Sequence, residues 1–224
     1  MRTVGILGGM GPEATVDLMR RVIAGTPAQD DADHVPLIVD QNTQVPSRIA
    51  HLIDGTGEDP GPVLIAMAQR LEAAGAQALA MPCNTAHHYA EQIEEAVGIP
   101  LLNMVELTVT EAEKTGETVI GLLGSPAIKT ARIYADAFGA HGLRMVYPAD
   151  QEAMLTAIRQ IKTHGPNETS ASILRAASDS MDTPVQILAC TEFSLIADAL
   201  PDRITTIDTL DVLTGAIIRF ATEG

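Results

Sequence analysis

The sequence predicts an α/β fold of two pseudo-symmetric lobes, each a parallel sheet flanked by helices. Short β-branched runs alternate with helical apolar periodicity along the whole chain, the pattern left by parallel strands joined through helices. Gly and Pro punctuate the connections, as in the stretch Gly55 to Pro62 (GTGEDPGP), which reads as a loop. The second half of the chain repeats the design of the first, which internal duplication explains most simply.

In order, Arg2 to Leu7, Pro36 to Asp40, Ala78 to Met81 and Leu101 to Asn103 read as buried strands. Between them Leu18 with Val22, Met19 with Ile23, Leu64 with Ala68, Met67 with Leu71, and Tyr89 with Ile93 and Val97 step four residues along helical faces. Val119 to Leu123, Arg144 to Tyr147, Val185 to Leu188 and Ile204 to Ile207 are the strands of the second half. Its helices lie near Ala131, Tyr134 and Phe138, near Met154, Ile158 and Ile161, and near Ile173, Leu174 and Ala177. A last helix carries Leu210, Leu213, Ile217 and Phe220 on one face.

The halves superimpose as sequences. Val4 to Gly9 (VGILGG) corresponds to Ile120 to Ser125 (IGLLGS), and Ala78 to Thr85 (ALAMPCNT) to Val185 to Thr191 (VQILACT). A boundary between Lys114 and Glu117 follows, with one lobe of residues 1–115 plus 209–224 and another of 116–208.

Composition excludes several classes. A formal net charge of -15 argues against nucleic acid or an anionic membrane surface, both of which want clustered Lys and Arg. No apolar run approaches the roughly 20 residues of a membrane span. The opening MRTVGILGG runs straight into strand-like sequence without a signal-peptide layout, so a cytoplasmic location is expected. An acidic ligand would have to be met by local cations.

The 2 cysteines are too few for a disulfide scaffold or a structural zinc cluster. Cys83 and Cys190 end corresponding strands, and ligands of open α/β sheets sit beyond the carboxyl ends of the strands. If the lobes face each other, the thiols confront each other across a cleft that serves as the active site. Two such groups suit inversion of a carbon centre, one removing a proton from one face while the other delivers a proton to the opposite face. Cys83 leads into a helix beginning near Thr85 and Cys190 precedes a helical pattern from Phe193 to Leu200, so both thiols are expected to be lowered toward the thiolate. A lone strand-end cysteine is more often core filler. Two at equivalent positions, with no others in the chain, shift the balance to function.

Other signals are weaker. Gly9 to Ala14 (GMGPEA) fits a dinucleotide fingerprint, yet Pro12 and Glu13 stand where a pyrophosphate would approach, so a tight strand-to-helix turn is expected. His87 and His88 are adjacent and diverge by roughly 100° on a helix, which disfavours one metal ion; one is expected to tune the thiol and the other to be solvated. His34, His51, His141 and His164 are expected as partnerless surface or loop residues, and Asp30, Asp31 and Asp33 as a solvated loop. Glu192 either orients or deprotonates a group near Cys190, or caps the following helix.

At these residues the chain resembles the Asp/Glu/hydantoin racemase superfamily, above all its aspartate racemases and broad-specificity amino-acid racemases. The matching segments are Gly5 to Thr15 (GILGGMGPEAT), the PSR ending in Arg48, Leu71 to His87 (LEAAGAQALAMPCNTAH), Ile120 to Ser125, the segment ending in Lys162, and Cys190 to Leu195 (CTEFSL). The resemblance implies a cofactor-independent racemase, without pyridoxal phosphate and without a metal, and usually a homodimer. It implies that Cys83 and Cys190 are the acid/base pair and that Arg48 and Lys162 hold substrate carboxylates, although Lys162 taken alone reads equally as a solvent-facing lysine. Met10 borders the pocket, and Asn84, Thr85 and Thr191 bond the α-carboxylate and ammonium, with Ser125 and Glu192 completing the substrate side.

Three departures bear on the substrate. Asn42 to Ser47 (NTQVPS) replaces a His-Pro and an acidic residue common before the arginine, Ile128 stands where many relatives carry a second threonine, and Ala189 replaces a common glycine. Aspartate is the expected substrate, glutamate the next. The alternatives are an isomerase or decarboxylase of a related dicarboxylate or hydantoin, and a non-catalytic metabolite-binding protein.

Overall fold

The computed structural model describes residues 1–223. It divides into two compact units, one of Met1–Met104 with the segment from Leu210 onward, the other of Val105–Thr209.

The first unit holds strands β1 (Val4–Gly8), β2 (Leu37–Gln41), β3 (Ala78–Ala80) and β4 (Leu101–Leu102), parallel and in the order β2-β1-β3-β4. Helices α1 (Pro12–Gly25), α2 (Arg48–Leu52), α3 (Gly61–Ala73) and α4 (Ala90–Ala96) connect them. Alternation along β1 sends Val4 and Ile6 to one face and Leu7 to the other. Val4 and Ile6 pack with Leu18 and Val22 of α1 and with Leu210, Leu213 and Ile217 of the C-terminal helix. Leu7 packs with Leu64, Met67 and Leu71 of α3 and Ile93 of α4. Both faces of the sheet are thereby covered, as parallel sheets require.

The second unit contains α5 (Met104–Glu113) from Val105 onward, then β5 (Val119–Gly124), α6 (Pro126–Thr130), α7 (Ala135–Ala140), β6 (Arg144–Val146), α8 (Gln151–His164), α9 (Glu168–Asp179), β7 (Val185–Ala189) and β8 (Thr205–Asp208). The C-terminal helix α10 (Thr209–Thr222) follows. The sheet order β6-β5-β7-β8 reproduces that of the first unit strand for strand, again all parallel. Met154, Ile158 and Ile161 of α8 and Leu174 of α9 pack on Leu123 and Leu188.

All eight expected strands are present, with ends displaced by a residue or two. β1 starts at Val4 because Arg2 lies outside the sheet, its amide donating to the Ala221 carbonyl and its guanidinium 3.8 Å over the Phe220 ring. Three local expectations need correction. The helix expected around Ala131 to Phe138 is two helices, broken where Arg132 takes a left-handed φ of 53°. The loop ends at Pro60, since α3 begins at Gly61 with Pro62 in its first turn, where a missing N–H costs nothing. Helix α5 was not anticipated, its β-branched Val105, Thr108 and Val109 disguising it. Among the described residues, no helix is long and apolar enough to cross a membrane.

Candidate active site

In the first unit the chain leaves β3 through Met81 and Pro82 into Cys83, which is buried. A five-residue 3-10 turn, Thr85–Tyr89, follows. His87 is buried within it, donating from Nδ1 to the Cys83 carbonyl at 2.9 Å and accepting at Nε2 from the Met104 amide at 3.1 Å. Burial disfavours the imidazolium and lowers the ring to about 4, only partly opposed by the Cys83 carbonyl. The expected tuning of the thiol is therefore corrected. Both ring nitrogens are committed to backbone groups, while His88 is exposed.

The loop after β1 leaves the sheet at the same end. The Gly9 amide donates to Thr15 Oγ1 at 2.9 Å, and Gly9 sits at φ 90° where a Cβ would lie 2.4 Å from the Asn42 backbone. Only glycine fits so close an approach in that conformation. Met10 is buried next to it and its carbonyl accepts from Arg48 Nη2 at 3.4 Å. Ser47 caps α2, accepting from the Ala50 amide at 3.2 Å, and so sets Arg48 at the helix start. Arg48 Nη1 also donates to the carbonyls of Pro46 (3.0 Å) and Val45 (3.4 Å). These neutral acceptors orient the guanidinium without neutralising it, and Nε is buried with no hydrogen-bond partner among the described residues. Met10 and Arg48 thus meet, and Asn84 (buried) and Thr85 (partly buried) follow Cys83 directly.

In the second unit Gly124 pairs with Ala189, so Ser125 and Cys190 leave the sheet at the same level. Ser125 caps α6, its Oγ accepting from the Ala127 amide at 3.2 Å. Ile128 is buried and would contact a Cβ added at Gly124. Cys190 and Thr191 are buried, and Cys190 Sγ donates to Glu192 Oε2 at 3.0 Å. Glu192 Oε1 lies 2.9 Å from Nζ of Lys162, which projects from the last turn of α8. Lys162 thus already carries a carboxylate of its own chain.

The expectation that both thiols are lowered fails at Cys190. Burial pushes this thiol well above its usual range, and the charge and hydrogen bond of the Glu192 carboxylate push the same way, outweighing Lys162 and the Glu192 backbone hydrogen bond, which pull it down. The segment after it is a 3-10 stretch, Phe193–Ala199, kinked at Ile196, in place of a straight helix whose dipole could favour the anion. Tyr134 is a neighbour that sequence reasoning did not single out. It is fully buried, its phenol raised chiefly by burial, with a hydrogen bond to Thr108 opposing and Tyr147 and then Cys190 adding smaller upward pushes. Its spacing from Phe138 marks it only as core.

Two of the remaining histidines have partners, contrary to expectation. His51 Nδ1 lies 3.1 Å from the Gly57 carbonyl and His141 Nδ1 2.9 Å from Glu113. Asp30 and Asp33 form a capping box on a short 3-10 turn, Asp31–Asp33.

The family model for Asp/Glu/hydantoin racemases matches residues 7–217. The broad specificity amino-acid racemase RacX of Bacillus subtilis is 28% identical over 212 residues, covering 92% of each chain. Picrophilus torridus aspartate racemase superimposes with a TM-score of 0.88 at 27% identity, covering 99% of this chain and 94% of that one. An aspartate racemase homologue from Pyrococcus horikoshii shares the fold, with a TM-score of 0.76 at 24% identity over 99% of this chain and 100% of that one. With both sheets, their strand order and this match in view, the chain belongs to the Asp/Glu/hydantoin racemase family, an isomerase family of amino-acid racemases that work without pyridoxal phosphate.

Proposed function

We propose that this protein racemises an acidic amino acid, aspartate first and glutamate next, with Cys83 and Cys190 as the acid/base pair on opposite faces of the α-carbon. The observation that carries the proposal is that the 2 cysteines of the chain follow β3 and β7, strands holding the same place in two sheets of identical order.

One sulfur, as thiolate, takes the α-proton while the other, as thiol, gives its proton to the opposite face. Only protons move, and the negative charge passes from one sulfur to the other. An α-proton beside a carboxylate is weakly acidic, so the carbanion needs preorganised donors and exclusion of water. Asn84, Thr85, Thr191 and Ser125 are the donors assigned to the substrate, with Met10 bordering it. Arg48 supplies the cation for a carboxylate, held ready by three carbonyls. Lys162 supplies the second by sharing or exchanging Glu192.

The test is α-carbon deuterium exchange and chiral chromatography from each enantiomer of aspartate, glutamate and a panel of neutral and basic amino acids. Interconversion of an acidic pair, lost in both Cys83→Ser and Cys190→Ser, supports the proposal. No exchange with any acidic amino acid removes this substrate class. Full activity surviving either substitution removes the two-thiol mechanism.

A further inference from the structure

Glu192 is the hub of the second half-site. Its Oε2 accepts the Cys190 S–H at 3.0 Å and its Oε1 pairs with Lys162 Nζ at 2.9 Å. The carboxylate and the thiol are both buried, so water screens their contact poorly, whereas Lys162 is exposed and its pull is screened. A carboxylate at this distance favours the thiol over the thiolate, because removing the proton would leave two anions in contact. Lys162 pulls the other way from the far oxygen, as does the backbone hydrogen bond of Glu192. Tyr134, which also lies within electrostatic reach of Cys190, is a neutral phenol.

We propose that Glu192 holds Cys190 as the thiol in the resting enzyme, making Cys190 the first proton donor and Cys83 the first acceptor, with Lys162 setting how firmly. Glu192 thereby acts through Cys190 as a positioning residue. The inference rests on Cys190 being one of the two acid/base groups. A turnover begins when Cys83 is present as the thiolate, and the Cα–H bond breaks as the proton joins that sulfur. The Cys190 S–H bond then breaks as its proton forms the new Cα–H bond on the opposite face. The thiolate left at Cys190 faces Glu192 and is reset either by taking a proton from the opposite enantiomer or by proton return through solvent. The free enzyme is therefore asymmetric although the reaction it serves is not.

Enantiomers have equal free energy, so kcat/KM must be equal in the two directions in every variant and cannot report this asymmetry. Thiol reactivity can. The experiment is alkylation of the full-length protein by iodoacetamide near neutral pH, with each cysteine followed separately by peptide mass and Cys83 serving as the internal control. Glu192→Gln keeps the shape and removes the charge, and it should raise the Cys190 rate about tenfold or more, the effect of one pKa unit, with Cys83 unchanged. Lys162→Met should shift Cys190 the opposite way. An unchanged or slower Cys190 in Glu192→Gln, with Cys83 unchanged, overturns the proposal. If that variant unfolds and both cysteines accelerate together, the wild-type pH profile decides. Cys190 alkylation must keep rising past the pKa of about 8.5 at which an ordinary thiol levels off, and levelling at or below it overturns the proposal. Because alkylation needs no substrate, failure here and failure of racemisation are separate results.

Discussion

Nδ1 of His87 lies 2.9 Å from the carbonyl oxygen of Cys83, so the imidazole holds the backbone of the cysteine. The other ring nitrogen accepts from the Met104 amide, so one neutral side chain ties the turn after β3 to the backbone beyond β4.

Burial of this ring, which the bond to Cys83 only partly offsets, makes stability depend on pH. The ring is lowered from 6.5 to about 4, so between these values the unfolded chain binds the extra proton and the folded chain does not. The contribution is complete above pH 6.5 and is lost as pH falls toward 4, on the order of 3 kcal/mol in all. Urea unfolding across this range should show the loss in the wild type and a flatter dependence in His87→Gln. Equal slopes in both would assign the acid sensitivity elsewhere.

Arg48 is bound to three carbonyls in a geometry that only a planar fork satisfies. Arg48→Lys should cut kcat/KM for the acidic substrate by about 10- to 100-fold, as expected for a charge-assisted contact worth about 1.5–3 kcal/mol. Folding should be little affected. Steady-state kinetics with kcat/KM unchanged would remove Arg48 from the substrate contacts.

Gly9 admits no side chain. Gly9→Ala should destabilise the protein by about 2 kcal/mol or more, through strain at φ 90° and collision with the Asn42 backbone. Activity should fall further than stability because Met10 is displaced with it. Thermal unfolding and racemisation are measured together, and a wild-type midpoint would show that the two loops are not packed as described.

Tyr89 is buried with its hydroxyl unpartnered among the described residues, and its phenol is raised to about 12 by burial and by Asp59, with Arg48 opposing. Removing an unsatisfied hydroxyl costs little, so Tyr89→Phe should be neutral or stabilising by up to about 1 kcal/mol. Loss of both activity and stability would reveal a partner for that hydroxyl.

Much of this was legible in the linear chain because it is local. Period and punctuation located the eight strands, and the repeat VGILGG/IGLLGS announced two like sheets before any coordinate. The motifs around Cys83 and Cys190 pointed to the family for the same reason, since residues at the ends of strands lie next to one another in sequence. Electrostatics at the second cysteine could not be read that way. Helical order after Cys190 suggested a lowered thiol, yet its state depends on Glu192 and on burial.

What the sequence alone determined is the fold class, the paired cysteines and the family, all of which follow from periodicity and contiguous motifs. Only the tertiary structure decided that His87 serves the backbone, that Lys162 meets Glu192, and that Cys190 is held toward its protonated form. The reason is physical. A strand or a turn is set by residues next to each other along the chain, whereas the charge state of a buried group is set by whatever packing brings within a few ångströms, as Lys162 is brought to Glu192 across 30 positions of sequence.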